Sequence, residues 1–372
     1  MAQETEQIRH LYIHIPFCKS KCGYCSFYSK VPEADEQASF IKTLLIELDY
    51  YKKHYELDCE TIYLGGGTPS LLEHKQLETI IRQIPRQNNC EITLEANPGD
   101  ISESKVLNWK KLGINRVSIG LQSMKDNELE FLGRRHNVAE SKEAIRLLQN
   151  NEIKNISFDL IYGLPGQKLE DVEYSLNQYL SLSPEHISTY CLSLADDCAL
   201  AGYKNKLPSD ETVSDMYYMI RSMLLSKGWR HYELSSFCRG DKESRHNMAY
   251  WTHRKYLGSG PSAAGYVSSF RYQNPASYDQ WQQAIKASKY FNNREDIGEV
   301  IREKEYIILA LRTTKGLNLA DFNKKFKIDF LTKYREILVK YQELKLLEQH
   351  DGNIRLLPEG YFISNEILSN FV

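Results

Sequence analysis

No stretch of this 372-residue sequence is apolar for long enough to cross a bilayer, and its opening run, Met-Ala-Gln-Glu-Thr-Glu, lacks the apolar core of a secretion signal. Neither sign of charge dominates. Lys and Arg number 47 against 49 Asp and Glu, a formal net charge of −2, so nucleic acid or an anionic membrane is not the default partner. A secreted disulfide framework is absent too: of eight cysteines, three cluster near the start and five are scattered. The scattered ones, at 59, 90, 191, 198 and 238, read as small buried hydrophobes. No solenoid-length repeat or low-complexity tract is present. What remains is a cytoplasmic globular chain, 42% hydrophobic, long enough for one large domain and a smaller one.

The clustered cysteines are Cys18, Cys22 and Cys25, in Phe17-Cys-Lys-Ser-Lys-Cys-Gly-Tyr-Cys, where a short apolar strand gives way to a polar loop. Three thiolates on one loop form a soft ligand set for iron–sulfur or zinc. A structural zinc site needs a fourth donor, and Ser26, Phe27 and Tyr28 follow Cys25. The economical reading is a [4Fe–4S] cluster with one iron open to an exogenous ligand. The alternatives are zinc completed by a distant Cys or His, or three ordinary loop cysteines.

Short apolar runs at 11–17, 61–64, 91–96, 116–121, 156–161 and 186–194 alternate with amphipathic stretches at 36–53, 74–82, 102–112, 140–149, 169–180 and 212–227. Strands alternating with helices predict a parallel sheet with right-handed crossovers. About six such units predict an incomplete TIM-like (β/α)6 barrel, with chemistry at the C-terminal ends of the strands. The expected divisions are 1–228 for the barrel, 229–298 for a loop-rich, aromatic connecting region and 299–372 for a helical module. That module ends in a hairpin around Asp351-Gly352 and reads as winged-helix-like. With no basic groove-reading stripe, packing or docking is preferred to DNA binding.

Several candidate residues sit at strand ends. Gly65-Gly66-Gly67-Thr68-Pro69 follows the second strand, and glycines let a backbone approach a ligand closely; alone, the triplet is only a turn. Glu95 closes the third strand, placed to accept from ribose hydroxyls or to cap the turn after it. Gln122 closes the fourth. Arg134 suits bidentate carboxylate pairing, although loop arginines are usually solvated. Asp159 is a charge inside an apolar strand, a costly placement that points to function.

In this order the motifs resemble the radical S-adenosylmethionine (radical SAM) superfamily, and within it the oxygen-independent coproporphyrinogen III oxidase branch, over nearly the whole chain. The resemblance implies a cluster on Cys18, Cys22 and Cys25, with Tyr12, Gly66 and Glu95 facing a first S-adenosylmethionine. Tyr24, Gly67, Thr68, Gln122, Arg134 and Asp159 would line a neighbouring site, with Ser193 a further contact. Two departures from the oxidase stand out. Phe27 occupies the position of an additional oxidase cysteine, and only eleven residues precede Tyr12. Both features resemble instead the HemW heme chaperones, as does His246-Asn247-Met248-Ala249-Tyr250-Trp251, which matches their H-N-x-x-Y-W motif. A histidine ligates heme iron, and aromatic rings pack on porphyrin; a core histidine satisfied by a neighbour is the plain alternative. The resemblance implies that His246, Tyr250 and Trp251 hold heme for delivery to apo-respiratory enzymes, and it leaves a homodimer and peripheral membrane association open. Ala264 departs from relatives that carry histidine there, and His253 is either a substitute or a surface residue. The rival functions are coproporphyrinogen III decarboxylation and radical-SAM methylation of a porphyrin.

Overall fold

The computed structural model describes residues 5–291 and 293–372. They divide into two compact units: residues up to Ile220 with Lys255–Glu295, and Arg221–Arg254 with Asp296–Val372.

In chain order the first unit begins β1 (Gln7–Ile15), α1 (Glu36–His54), β2 (Glu56–Gly66), α2 (His74–Arg82), β3 (Arg86–Ala96) and α3 (Glu103–Lys111). It continues with β4 (Arg116–Gln122), α4 (Asp126–Phe131), α5 (Val138–Asn150), β5 (Asn155–Tyr162), α6 (Leu169–Ser181) and β6 (His186–Cys191). After α7 (Asp210–Ser226), the second unit contributes β7 (Arg230–Glu233), β8 (Ser236–Cys238) and α8 (Arg245–Trp251). The first unit resumes with β9 (Leu257–Ser259), β10 (Ala264–Val267), β11 (Phe270–Gln273) and α9 (Tyr278–Lys286), and α10 (Glu299–Leu311) returns to the second.

The expected α/β architecture is present. Within the first unit the strands run β6-β5-β4-β3-β2-β1-β9, every neighbouring pair parallel. Six strands match the sequence pattern. The seventh, β9, holds three residues with a central glycine, too short to show a period. Helix boundaries follow local chemistry: Asn137 and Glu140 form a reciprocal capping box that starts α5, and the Ser102 hydroxyl caps α3. Glu47 of α1 fixes the turn after β9, accepting from Ser259 Oγ at 2.7 Å, Gly260 N–H at 2.8 Å and Asn274 Nδ2 at 2.7 Å.

The strands differ from a continuous apolar run in a way that matters for function. Register aligns Ile13, Leu64, Leu94 and Val117 in one buried row, the apolar face. The alternate residues form polar rows: Tyr12, Tyr63, Thr93, Arg116 and Asn155, then Glu95, Ser118, Ser157 and His186. The usual branched aliphatic filling of a barrel is replaced there by hydroxyls, a carboxyl, an amide, an imidazole and a guanidinium.

In the second unit, β7 pairs antiparallel with β8, and a three-stranded antiparallel sheet contains the hairpin Leu347–His350 and Asn353–Leu356. Its turn residues, Asp351 at φ 47° and Gly352 at φ 75°, adopt the left-handed backbone that a tight hairpin demands. Among the described residues, no helix is long and apolar enough to cross a membrane.

Candidate cofactor site

The loop carrying the cysteines is closed at its base. Cys18 N–H donates to Lys30 C=O at 2.9 Å, and Lys30 N–H donates to Pro16 C=O at 2.8 Å. Its tip is anchored as well: Gly23 donates to Leu132 C=O at 3.2 Å and accepts from Leu200 N–H at 3.0 Å, while Cys25 N–H turns back onto Cys22 C=O at 3.2 Å. The three thiols thereby share a wall of a cavity of about 380 Å³ at the C-terminal ends of the strands. The same cavity is lined by Tyr24, Gly66, Gly67, Thr68, Glu95, Gln122, Arg134, Asp159 and Ser193. Tyr12 lies behind that lining, its hydroxyl 3.0 Å from His14 Nδ1.

A hydrogen-bond chain links two of the thiols. Thr68 Oγ1 donates to Cys18 Sγ at 3.4 Å and accepts from Asn97 Nδ2 at 3.0 Å. Asn97 Oδ1 accepts from Arg134 Nη2, and Arg134 Nη1 reaches Cys22 Sγ at 3.4 Å. Arg134 also donates to Gly120 C=O at 2.6 Å. Donors aimed at sulfur favour thiolate. Burial opposes them and holds the Cys18 and Cys25 thiols above their ordinary range, so a cluster binding there displaces protons.

Glu95 accepts from Tyr63 OH at 2.8 Å and Gly66 N–H at 3.1 Å, yet burial keeps its carboxyl above the usual range. Burial likewise raises Asp159, to about 7, with the nearby Glu95 charge adding to the effect and Arg116, Arg134 and Ser118 opposing it. Gly66 has φ +109°, and a Cβ there would lie 2.6 Å from the His14 ring. A Cβ on Gly67 would lie 2.8 Å from Phe17 C=O. Both positions require glycine on steric grounds.

Sequence reasoning passed over Asn97 and His14, although they stand only two residues beyond Glu95 and Tyr12. It also placed Cys191 in the interior. Cys191 is exposed and lines the cavity, because it ends β6 at the same rim as the other site residues.

Residues 12–178 match the Radical SAM superfamily, and residues 302–363 match the HemN C-terminal domain. A heme chaperone HemW of Lactococcus lactis is 32% identical over 97% of this chain and 96% of its own length. The chain belongs to the HemW heme-chaperone family of radical SAM proteins. The HemW of Bacillus subtilis is also 32% identical, over 98% of this chain and 99% of its own. In fold, coproporphyrinogen III oxidase (HemN) from Escherichia coli, a radical SAM enzyme, superposes with TM-score 0.88 at 19% identity, covering 100% of this chain and 91% of that one.

Radical SAM membership implies a [4Fe–4S] cluster and S-adenosylmethionine, and the residues fit that requirement. Three thiols face one cavity, two of them receive hydrogen bonds, and the buried Gln122 Oε1 beside them has no partner of its own. Among the described residues, no three His, Cys, Asp or Glu groups converge on a single-ion site; the cysteines share a cavity wall, not one coordination point.

The residues of the HemW motif lie in the second unit, on α8. His246 is buried, and its Nε2 is 2.8 Å from Tyr250 OH, the rings meeting edge-on at 5.0 Å. The Trp251 indole N–H is buried without a partner, and the Arg312 guanidinium lies over its ring at 5.3 Å. His253 is not a surface residue: it is buried, with Nε2 3.6 Å from Glu305. Ala264 is exposed at the start of β10.

Proposed function

We propose that this chain binds heme and hands it to apo-respiratory enzymes in the cytoplasm, using a cluster-bearing radical SAM unit. The observation that carries the reading is the 32% identity to heme chaperones across nearly the full length of both chains. Phe27, 65% exposed where the oxidase resemblance calls for a cysteine, supports the chaperone over coproporphyrinogen III decarboxylation.

Cys18, Cys22 and Cys25 would hold the cluster. Held there, a reduced [4Fe–4S] centre would supply the one electron that cleaves S-adenosylmethionine to methionine and a 5′-deoxyadenosyl radical. The chain's own part is placement. Thr68 and Arg134 donate to the sulfurs; Gly66 and Glu95 form the first cofactor wall, with Tyr12 behind it. Tyr24, Gly67, Gln122 and Asp159, with Ser193, form the adjoining one. His246 is the heme ligand of this reading, with Tyr250 and Trp251 packing on the porphyrin. Its bond to Tyr250 must open before the ring nitrogen meets iron, at a cost of about 1 kcal/mol.

The test is transfer. Heme-loaded chain mixed anaerobically with an apo-respiratory hemoprotein should restore that acceptor's absorption spectrum, and should form no protoporphyrinogen from coproporphyrinogen III. An inert acceptor, or robust protoporphyrinogen formation, would reject the proposal.

A further inference from the structure

Arg116 opens β4 and is 2% exposed. Its row, one step nearer the N-terminal ends of the strands than Glu95 and Ser118, places it on the polar interior face of the sheet. The Nε of Arg116 has no hydrogen-bond partner, and neither do Thr93 Oγ1 and Asn155 Oδ1, its two neighbours in register. A buried guanidinium with an unmade hydrogen bond is expensive, and a packed hydrophobe would cost less at a position whose purpose was only to fill space. Its charge acts on both Glu95 and Asp159, drawing each carboxyl down against the burial that raises it. Ser118, two residues along the same strand and so on the same face, donates to Asp159 Oδ1 at 3.5 Å.

We propose that Arg116 is a positioning residue: from inside the barrel its guanidinium is the shared counter-charge of Glu95 and Asp159, and it sets how much negative charge the cavity presents to a ligand. Arg134 also acts on Asp159, but both of its Nη groups are committed to Asn97, Gly120 and Cys22, and Glu95 feels Arg116. The charged and titratable groups around Asp159 are Glu95 on β3, Arg116 on β4, Arg134 after α4, Tyr63 on β2, Tyr24 on the cysteine loop and Tyr179 on α6. Arg116 is the cation among them that belongs to the barrel floor. Only the consequence for binding rests on the cofactor reading of the cavity; the charge arrangement does not.

The experiment is a pH-difference infrared titration of the full-length, cluster-reconstituted chain without S-adenosylmethionine, the Asp159 carboxyl band being assigned by its loss in Asp159→Asn. In Arg116→Gln the Asp159 midpoint should move alkaline by about one pH unit or more, whereas Arg116→Lys, which keeps the charge, should stay within about half a unit of the parent. An unmoved midpoint in a folded Arg116→Gln chain overturns the proposal. Should that variant not fold, Glu95→Gln serves: loss of the neighbouring negative charge should move the midpoint acidic by a similar amount, and no movement overturns the shared arrangement. S-adenosylmethionine affinity, measured on the same samples by calorimetry, separates the two readings. An infrared shift with unchanged affinity supports the role of Arg116 and rejects Asp159 as a cofactor contact.

Discussion

Asn97 donates to Thr68 Oγ1 at 3.0 Å, and Thr68 in turn donates to the Cys18 sulfur at 3.4 Å. On its other side Asn97 accepts from Arg134, whose second nitrogen reaches Cys22. One amide thus orients the donors of two thiols. Asn97→Ala should leave the iron content unchanged but lower the cluster's reduction potential, because hydrogen bonds to sulfur stabilise the reduced centre. A loss of about 1 kcal/mol corresponds to roughly 40 mV for one electron. Potentiometric titration followed by electron paramagnetic resonance checks this, and an unchanged potential would show that the chain of hydrogen bonds does not tune the sulfurs.

Gly66→Ala combines a left-handed backbone with a Cβ 2.6 Å from His14, an atom held on a ring that is itself bonded to Tyr12 and to Tyr28 C=O. The imidazole has little room to retreat. The variant should lose about 1–3 kcal/mol of stability and most of its S-adenosylmethionine affinity. Thermal melting and calorimetry measure the two effects separately.

Asp159 gives a pH dependence of definite sign. Its folded value, near 7, lies above the ordinary 3.8, so the stability associated with the protonated group is present below about 4 and is lost as pH rises through 7. Asp159→Asn should therefore melt roughly 3 °C above the parent at pH 8 and at the same temperature near pH 4. His136 works in the opposite sense: burial lowers it to about 4, so its contribution is present above the ordinary 6.5 and is lost as pH falls through 4.

In the proposed heme site, Tyr250 OH would compete with heme iron for Nε2 of His246. Tyr250→Phe should strengthen heme binding about fivefold by releasing that nitrogen, whereas His246→Ala should weaken it at least tenfold with the cluster intact. Heme titration by visible absorption reads both. Identical curves for parent and His246→Ala would remove His246 as the ligand.

Much of this site is legible from residue order alone. The cysteine spacing, the glycine triplet and Asp159, a charge in an apolar strand, each violate a local rule, and such violations concentrate where function is. Asn97 was hidden because an Asn-Pro pair already has an explanation as a turn. Arg116 was hidden for a related reason: a basic residue at the start of a strand usually reads as a solvated boundary, and only register places it inside. The strand β9 is three residues long and pairs with β1, a partner more than two hundred positions away in the chain, which no local pattern encodes. His253 shows the limit from the other side. A histidine between polar neighbours looks exposed, yet tertiary packing buries it against Glu305 and Tyr306.

The measurement closest to the central claim is anaerobic reconstitution followed by iron and sulfide analysis and electron paramagnetic resonance of the reduced chain, with and without S-adenosylmethionine. The account predicts [4Fe–4S] stoichiometry, its loss in Cys22→Ala, and a spectrum that changes when S-adenosylmethionine is added. A chain that takes up zinc instead, or a cluster spectrum indifferent to S-adenosylmethionine, would contradict it.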